Sequence, residues 1–285
     1  MNVLSLFDGM SCGQIALERA AFDVETYFAS EVDKWAIKIT QKNYPNTTQL
    51  GDVIQLYDWN LPKIDLLLGG SPCQGFSRAG KGLNWSDPRS QLFFWYVNAL
   101  QWLKPTWFLF ENVQMKKEIK DAISYELGVE PILINSALVS AQSRKRLYWT
   151  NIPNINQPRD KEIFWKDTQE YDAVNVFYYT SKSFRWIFKS PKRLNKFKLY
   201  SKYTKDKMQM LEASHYKGYS NQRCFGISDK KGIRYISVLE CERLQNVPDN
   251  YTEGVSNSQR YKMLGNGWTV DVISHILKHI PNHGR

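Results

Sequence analysis

Over its first 150 positions the chain alternates short apolar runs with stretches in which apolar residues recur at helical spacing. This is the rhythm of βα units feeding a mostly parallel sheet. Val3-Leu4-Ser5-Leu6-Phe7 predicts a buried strand, residues 8–13 a tight loop and 14–21 a helix. A second strand is expected to end at Ser30-Glu31, followed by an amphipathic helix over 33–43. Tyr44-Pro45 closes that helix, because proline cannot continue it and disfavours α geometry at the preceding residue. Further strands are predicted at 64–68, 107–110, 132–135 and 146–149, with another ending at Gly51-Asp52-Val53. The longest apolar runs, Leu66-Leu67-Leu68 and Trp107-Phe108-Leu109-Phe110, fall far short of the roughly 20 residues that cross a bilayer. The first residues have neither a basic region nor a cleavage site, so a signal peptide is not expected and a cytoplasmic protein is.

Composition narrows this picture. With 285 residues, 42% of them hydrophobic and 14% aromatic, the chain has ample material for a core, which excludes a disordered or fibrous protein. A formal charge of +10 favours a polyanionic partner. That charge is unevenly spread: residues 1–149 hold 15 basic and 15 acidic side chains, 150–233 hold 17 and 8, and 234–285 hold 6 and 5. The middle segment is also rich in aromatics and contains the basic stretch from Lys189 through Lys192, Arg193 and Lys196 to Lys198. Basic side chains interleaved with aromatics suit phosphate contacts and base stacking; the plainer alternative is a solvated basic face. The four cysteines form no CxxC pair, so neither a disulfide framework nor a structural zinc site is expected. His275, His279 and His283 are spaced by four, but Pro281 interrupts them and no carboxylate accompanies them, so no metal is expected.

Three segments carry candidate chemistry. In the first, Gly9 and Gly13 permit a tight turn and close ligand approach, and Glu31 at the end of the next strand is placed to accept from ribose hydroxyls. Asp8 inside the loop would repel phosphate, so a phosphate-free, cationic cofactor such as S-adenosylmethionine fits better than a dinucleotide; Asp52 is a candidate acceptor for an adenine amino group. In the second, Gly69-Gly70-Ser71-Pro72-Cys73-Gln74 follows a strand, and Pro72 with the flanking glycines presents Cys73 at its C-terminal end as a candidate nucleophile. The other reading of Cys73 is a small buried apolar residue. In the third, Glu111-Asn112 follows the apolar run 107–110, and Gln142-Ser143-Arg144-Lys145-Arg146 precedes another strand. Cysteine, glutamate and arginine at one sheet edge suit attack on a pyrimidine, with the thiolate adding to C6, the acid engaging N3 and the cation stabilising the adduct.

Together these segments resemble the DNA (cytosine-5)-methyltransferase family, over residues 3–276. The matching motifs, in family order, are Leu6-Phe7-Asp8-Gly9, Glu31, Gly51-Asp52-Val53, Gly70-Ser71-Pro72-Cys73-Gln74, Phe110-Glu111-Asn112-Val113, Gln142-x-Arg144-x-Arg146, Arg243-Leu244-Gln245 and Leu264-Gly265-Asn266. Ala29-Ser30-Glu31-Val32 and Gly267-Trp268-Thr269-Val270 are similar to phage and bacterial members and to the catalytic domains of the animal de novo enzymes. Ser5 departs from the family, which often has aspartate there, and Ser11-Cys12 replaces a glycine pair.

The resemblance implies an α/β, Rossmann-like, S-adenosylmethionine-dependent methyltransferase fold: a mixed seven-stranded sheet with helices on both faces plus a small target-recognition lobe. The catalytic domain would comprise 1–149 and 250–285, and the DNA-binding lobe 150–249. Cys73 would be the nucleophile, Glu111 the group engaging N3 and Arg144 the cation beside the ring, with Asn112 and Arg146 supporting the loops. S-adenosylmethionine, released as S-adenosylhomocysteine, would lie against Phe7, Asp8, Gly9, Met10, Cys12 and Gly13. Glu31 would hold its ribose, Val32 and Val53 would flank its adenine, and Asp52 would meet the amino group. Pro72, Asn266 and Trp268 would border the remainder. The loop 75–89 would be a lid and base-flipping element. Expected DNA contacts are Gln74, Ser77, Arg78, Lys81, Arg146, Lys189, Lys192, Arg193, Lys196, Lys198 and Arg223. The partner would be double-stranded DNA and the protein a monomer or weak homo-oligomer. An RNA cytosine-5 methyltransferase and a catalytically silent DNA-binding homologue are the alternatives.

Overall fold

The structure, a computed structural model, describes residues 1–71, 88–217 and 224–281. Among these, seven strands form one sheet: β1 (Asn2–Leu6), β2 (Thr26–Ser30), β3 (Thr48–Gln49), β4 (Leu66–Gly69), β5 (Trp107–Val113), β6 (Ile132–Asn135) and β7 (Lys145–Thr150). Their order is β3-β2-β1-β4-β5-β7-β6, parallel except that β7 runs antiparallel to both of its neighbours. Strand β1 is buried on both faces, and its run Val3-Leu4-Ser5-Leu6 has the continuous apolar character of an interior parallel strand.

Helices cover both faces. On one, Leu4, Leu6, Leu67 and Phe110 join a core cluster with Phe93, Tyr96 and Val97 of α3 (Pro88–Leu103) and Ile119 and Ile123 of α4 (Lys117–Leu127). On the other, α1 (Cys12–Arg19) lies so close that a Cβ on Gly13 would stand 2.6 Å from the Tyr27 hydroxyl and 3.0 Å from Leu68. Helix α2 (Lys34–Asn43) starts at an Asp33 cap, whose carboxylate accepts from the Trp35 amide.

The chain divides into two compact units. The first contains 1–135, 145–158 and 270–285; the second contains 136–144 and 159–269. This moves the expected boundaries: 136–144 and 250–269 belong to the second unit and 150–158 to the first. The reason lies in side-chain bonding. Gln142 donates to the Leu244 carbonyl at 2.7 Å and Arg144 donates to the Leu211 carbonyl at 3.0 Å, while in the first unit Gln157 donates to the Leu133 carbonyl and a His275 ring nitrogen meets the Asn156 carbonyl.

The second unit has its own sheet, β10 (Gly232–Arg234), β9 (Phe225–Asp229) and β8 (Lys198–Tyr200), and its own aromatic core, in which Trp165 packs on Tyr200. Around it run α5 (Ser181–Phe188), α6 (Pro191–Leu194), α7 (Val238–Leu244) and α8 (Asn257–Asn266), while α9 (Val270–Leu277) returns to the first unit and packs against α1. Partitioned this way, the second unit holds 22 basic and 12 acidic side chains and the first 16 of each. The whole formal charge of +10 therefore resides on one unit. Among the described residues no helix is long and apolar enough to cross a membrane.

Candidate active site

The loops after β1, β2 and β3 are laced together at the C-terminal edge of the sheet, where open α/β sheets bind ligands. The Asp8 amide donates to the Ser30 carbonyl at 3.2 Å and the Ser30 hydroxyl to the Gly51 carbonyl at 2.8 Å. Glu31 is the knot: its carboxylate accepts from the amides of Gly9, Val32 and Asp33, each at 2.8 Å. The first loop places Phe7, Gly9 and Ser11 at positive φ, and for the two non-glycines this is an uncommon conformation of the kind that collects at functional sites.

Two apolar side chains stand out in this neutral-to-acidic setting, Val32 at 69% and Ile54 at 57% exposure. Val53, expected to flank an adenine, is instead 3% exposed and part of the core cluster, because residues 53–58 form a 3-10 turn that carries its side chain inward. Asp52 lies beyond the two-residue β3 and caps that turn, accepting from the Ile54 amide at 3.2 Å. Met10 and Cys12 also turn their side chains into the core, and Gly13 serves the close packing of α1 on Tyr27 and Leu68. Segments 7–13, 30–33 and 50–54 contain four acids and no basic residue. An exposed apolar pair beside fixed carboxylates, with no basic residue in these three segments, fits an adenosine whose remaining part is cationic.

At the same sheet edge β5 runs further than its apolar run suggested, so Glu111 and Asn112 lie inside the strand. Antiparallel pairing sets Val113 opposite Arg146 and Glu111 opposite Tyr148. Arg146 and Glu111 are therefore diagonal neighbours on one face, within reach of long side chains. They form a buried ion pair, Nε to Oε1 at 2.9 Å. Asn112 reaches the Ser71 carbonyl and hydroxyl, both at 3.4 Å, and so ties the strand to the start of the segment that carries Cys73.

Arg146, and not Arg144, is thus the arginine paired with Glu111. The Arg144 guanidinium donates within the second unit to the carbonyls of Leu211, Gly265 and Gly267, at 3.0, 3.2 and 3.1 Å. It shares this work with two glutamines. Gln142 donates to Gln245 Oε1 at 2.8 Å, and Gln245 donates to the Leu264 and Gly267 carbonyls at 2.6 and 3.0 Å while accepting from Thr269. Segments 142–144, 243–245 and 264–269, far apart in sequence, form one hydrogen-bonded hub.

A family model described as C-5 cytosine-specific DNA methylase matches residues 1–207 and 116–282. The chain belongs to this family. It is similar to the type II methyltransferase M.FnuDI of Fusobacterium nucleatum, 28% identical over 98% of this chain and 94% of that protein. It also resembles the orphan methyltransferase M.SPRI of Bacillus phage SPR, 33% identical over 67% of this chain and 47% of the phage protein. A crystal structure of a Spodoptera frugiperda DNMT2 mutant shares the fold, with a TM-score of 0.72 and 22% identity over 98% of both chains. The protein is a methyltransferase, and its family implies S-adenosylmethionine as methyl donor.

Other expected site residues of this methyltransferase are distributed as follows. Pro72, Cys73, Gln74, Ser77, Arg78, Lys81 and Arg223 lie outside the described residues, as does His283. Asn266 ends α8 and Trp268 follows it, both in the second unit. Lys189, Lys192, Lys196 and Lys198 are exposed, whereas Arg193 stacks 3.8 Å over the Trp186 ring and donates to its carbonyl. His275 and His279 each bond a backbone carbonyl, and among the described residues no cluster of three or more His, Cys, Asp or Glu side chains could hold a metal ion. The sequence reading missed Ile54 and the partners of Asp8, namely Ser11 and Tyr27, whose hydroxyls both donate to it.

Burial pushes the Asp8 carboxyl up to about 6, against the lowering effect of the Ser11 and Tyr27 hydroxyls. The folded state then binds this proton more tightly than the unfolded chain does. Through Asp8 alone, stability is fully present below about pH 4, falls as pH rises towards 6 and is level above it. Asp8→Asn, whose amide can still accept from Tyr27 and donate to Ser11, should remove this slope and stabilise the protein at pH 7 by up to about 3 kcal/mol. Urea midpoints from pH 4 to 7 measure it; parallel curves for parent and variant would contradict the assignment.

Proposed function

We propose that this methyltransferase methylates C5 of cytosine in a short sequence of double-stranded DNA, in a bacterial or phage-infected cell, through a covalent adduct on Cys73. The observation that carries this reading is the buried Glu111–Arg146 pair on β5 and β7, next to the strand that leads into the Cys73 segment. The concentration of charge on the second unit, with the exposed lysines from 189 to 198, supports DNA as the substrate.

In this reading the target base leaves the duplex, at a cost of a few kcal/mol. Glu111 engages N3 through a proton shared between its carboxyl and the ring nitrogen, while the Arg146 guanidinium holds that carboxyl in place beside the ring. The Cys73 thiolate adds to C6 as the proton passes to N3, which moves an electron pair onto C5. When C5 later gives up its proton to a base, the C6–S bond breaks, N3 returns its proton and the ring regains aromaticity. S-adenosylmethionine supplies the electrophilic methyl group and leaves as S-adenosylhomocysteine. Glu31 would hold its ribose, and Val32 and Ile54 would flank the adenine. Arg144 becomes a positioning residue that fixes the segment leading into β7.

Protein incubated with methyl-labelled donor and genomic DNA should yield labelled 5-methylcytosine, and DNA containing 5-fluorocytosine should trap a covalent complex that Cys73→Ser abolishes. Label appearing in transfer RNA but not DNA would reassign the substrate. Duplex binding without label or trapped complex would mean a silent DNA-binding homologue.

A further inference from the structure

The second unit contains a cavity of about 150 Å³ that the reaction above does not use. A cavity of about that size accommodates a single aromatic ring. Its walls are themselves aromatic, among them Tyr179, Tyr235 and Tyr261. Tyr179 and Tyr235 stack at 4.8 Å, the Tyr261 hydroxyl donates to the Ile236 carbonyl at 2.6 Å, and the Tyr179 hydroxyl donates to the Phe225 carbonyl. These bonds fix the rings before any ligand arrives, which lowers the entropic cost of binding. Two more aromatics at the cavity, Phe177 and Tyr216, are 77% and 46% exposed.

The surroundings select the occupant. None of the lining residues is acidic, Lys217 places its ammonium 5.6 Å from the Tyr216 ring, and the unit as a whole carries +10. Asn257, at the start of α8, brings an amide with both donor and acceptor to the lining. Aromatic walls for a planar ring, an amide for its edge and a cationic field for its phosphate describe a nucleotide.

We propose that this cavity receives a second base of the bound DNA, displaced from its stack and distinct from the target cytosine. The inference rests on DNA being the substrate. Base–aromatic stacking gives about tenfold or more in affinity for each base taken up. A base that is already unpaired costs least to extract.

The test compares a 20-base-pair mixed-sequence duplex with the same duplex carrying one unpaired thymine, a single-ring base, and with a third in which that residue is abasic. The parent protein should bind the unpaired-thymine duplex about tenfold more tightly than the paired one, and the abasic form should lose that gain. Tyr216→Ala and Phe177→Ala, both at exposed side chains, should abolish the preference while leaving paired-duplex affinity and thermal midpoint unchanged. Glu111→Gln should keep the preference, because it alters the target-base site only. Rim variants that retain the preference, or Glu111→Gln losing it, would overturn the inference, as would a gain seen with an unpaired pyrimidine in RNA but not in DNA. Equal affinity for all three DNAs, with genomic DNA still methylated, would remove the second base site and leave the proposed reaction standing. Absence of both DNA binding and DNA methylation would remove both.

Discussion

Arg146→Lys should lower kcat for methyl transfer by about 100-fold while leaving the fold and DNA affinity nearly intact. The variant keeps a positive charge beside Glu111 but loses the planar guanidinium that fixes the orientation of the carboxyl. Loss of one preorganised donor to developing charge costs about 10² to 10³ in rate. Arg144→Lys should behave oppositely. One ammonium cannot reproduce the bonds of two terminal nitrogens to the Leu211, Gly265 and Gly267 carbonyls, so thermal midpoint should fall while the folded fraction turns over at near the parental rate. Single-turnover kinetics normalised to folded protein separates the two. A stable Arg144→Lys without turnover, beside an active Arg146→Lys, would return the ring-facing role to Arg144.

A larger loss of stability is expected at Arg234. Its side chain is fully buried and all five of its N–H donors are used: Nε to Asp229, Nη1 to the Tyr235 carbonyl and Glu240, and Nη2 to the Glu170 carbonyl and Glu240. Glu240 also accepts from the amides of Glu170 and Ser237. Arg234→Met would strand Asp229 and Glu240, at a cost of about 3–5 kcal/mol. Arg234→Lys should recover less than half, since a single ammonium cannot span both carboxylates and two carbonyls. Urea unfolding followed by far-ultraviolet circular dichroism measures the effect. DNA affinity should fall in parallel, with donor binding by the first unit retained. A change below about 1 kcal/mol for Arg234→Met would show the network to be dispensable.

The local pattern was sufficient for much of the fold. Apolar runs gave β1, β4, β6 and β7 to within about two residues and the end of β2, and Asp33 and Pro45 bracketed α2, because strand burial, caps and proline act through neighbours in sequence. It fell short at β5, where Glu111 and Asn112 read as the residues after a strand. Pairing with β7, more than thirty positions away, continues the ladder through them. The basic segment was evident as charge, yet its boundaries were not. Residues 136–144 and 250–269 look like catalytic-domain sequence and belong to the second unit through Gln142, Arg144 and Gln245.

By itself, then, the sequence determined the sheet-forming segments, the family to which the motif order belongs and the excess of basic charge. All of these depend on residue type and short-range spacing. Tertiary structure decided which of two arginines meets Glu111, which apolar side chain beside Asp52 reaches the surface and where six aromatic rings enclose a cavity. Arg144 and Arg146 are two residues apart and share a chemistry. Only the β5–β7 register and carbonyls supplied from residues 211, 265 and 267 send one to Glu111 and the other to the hub.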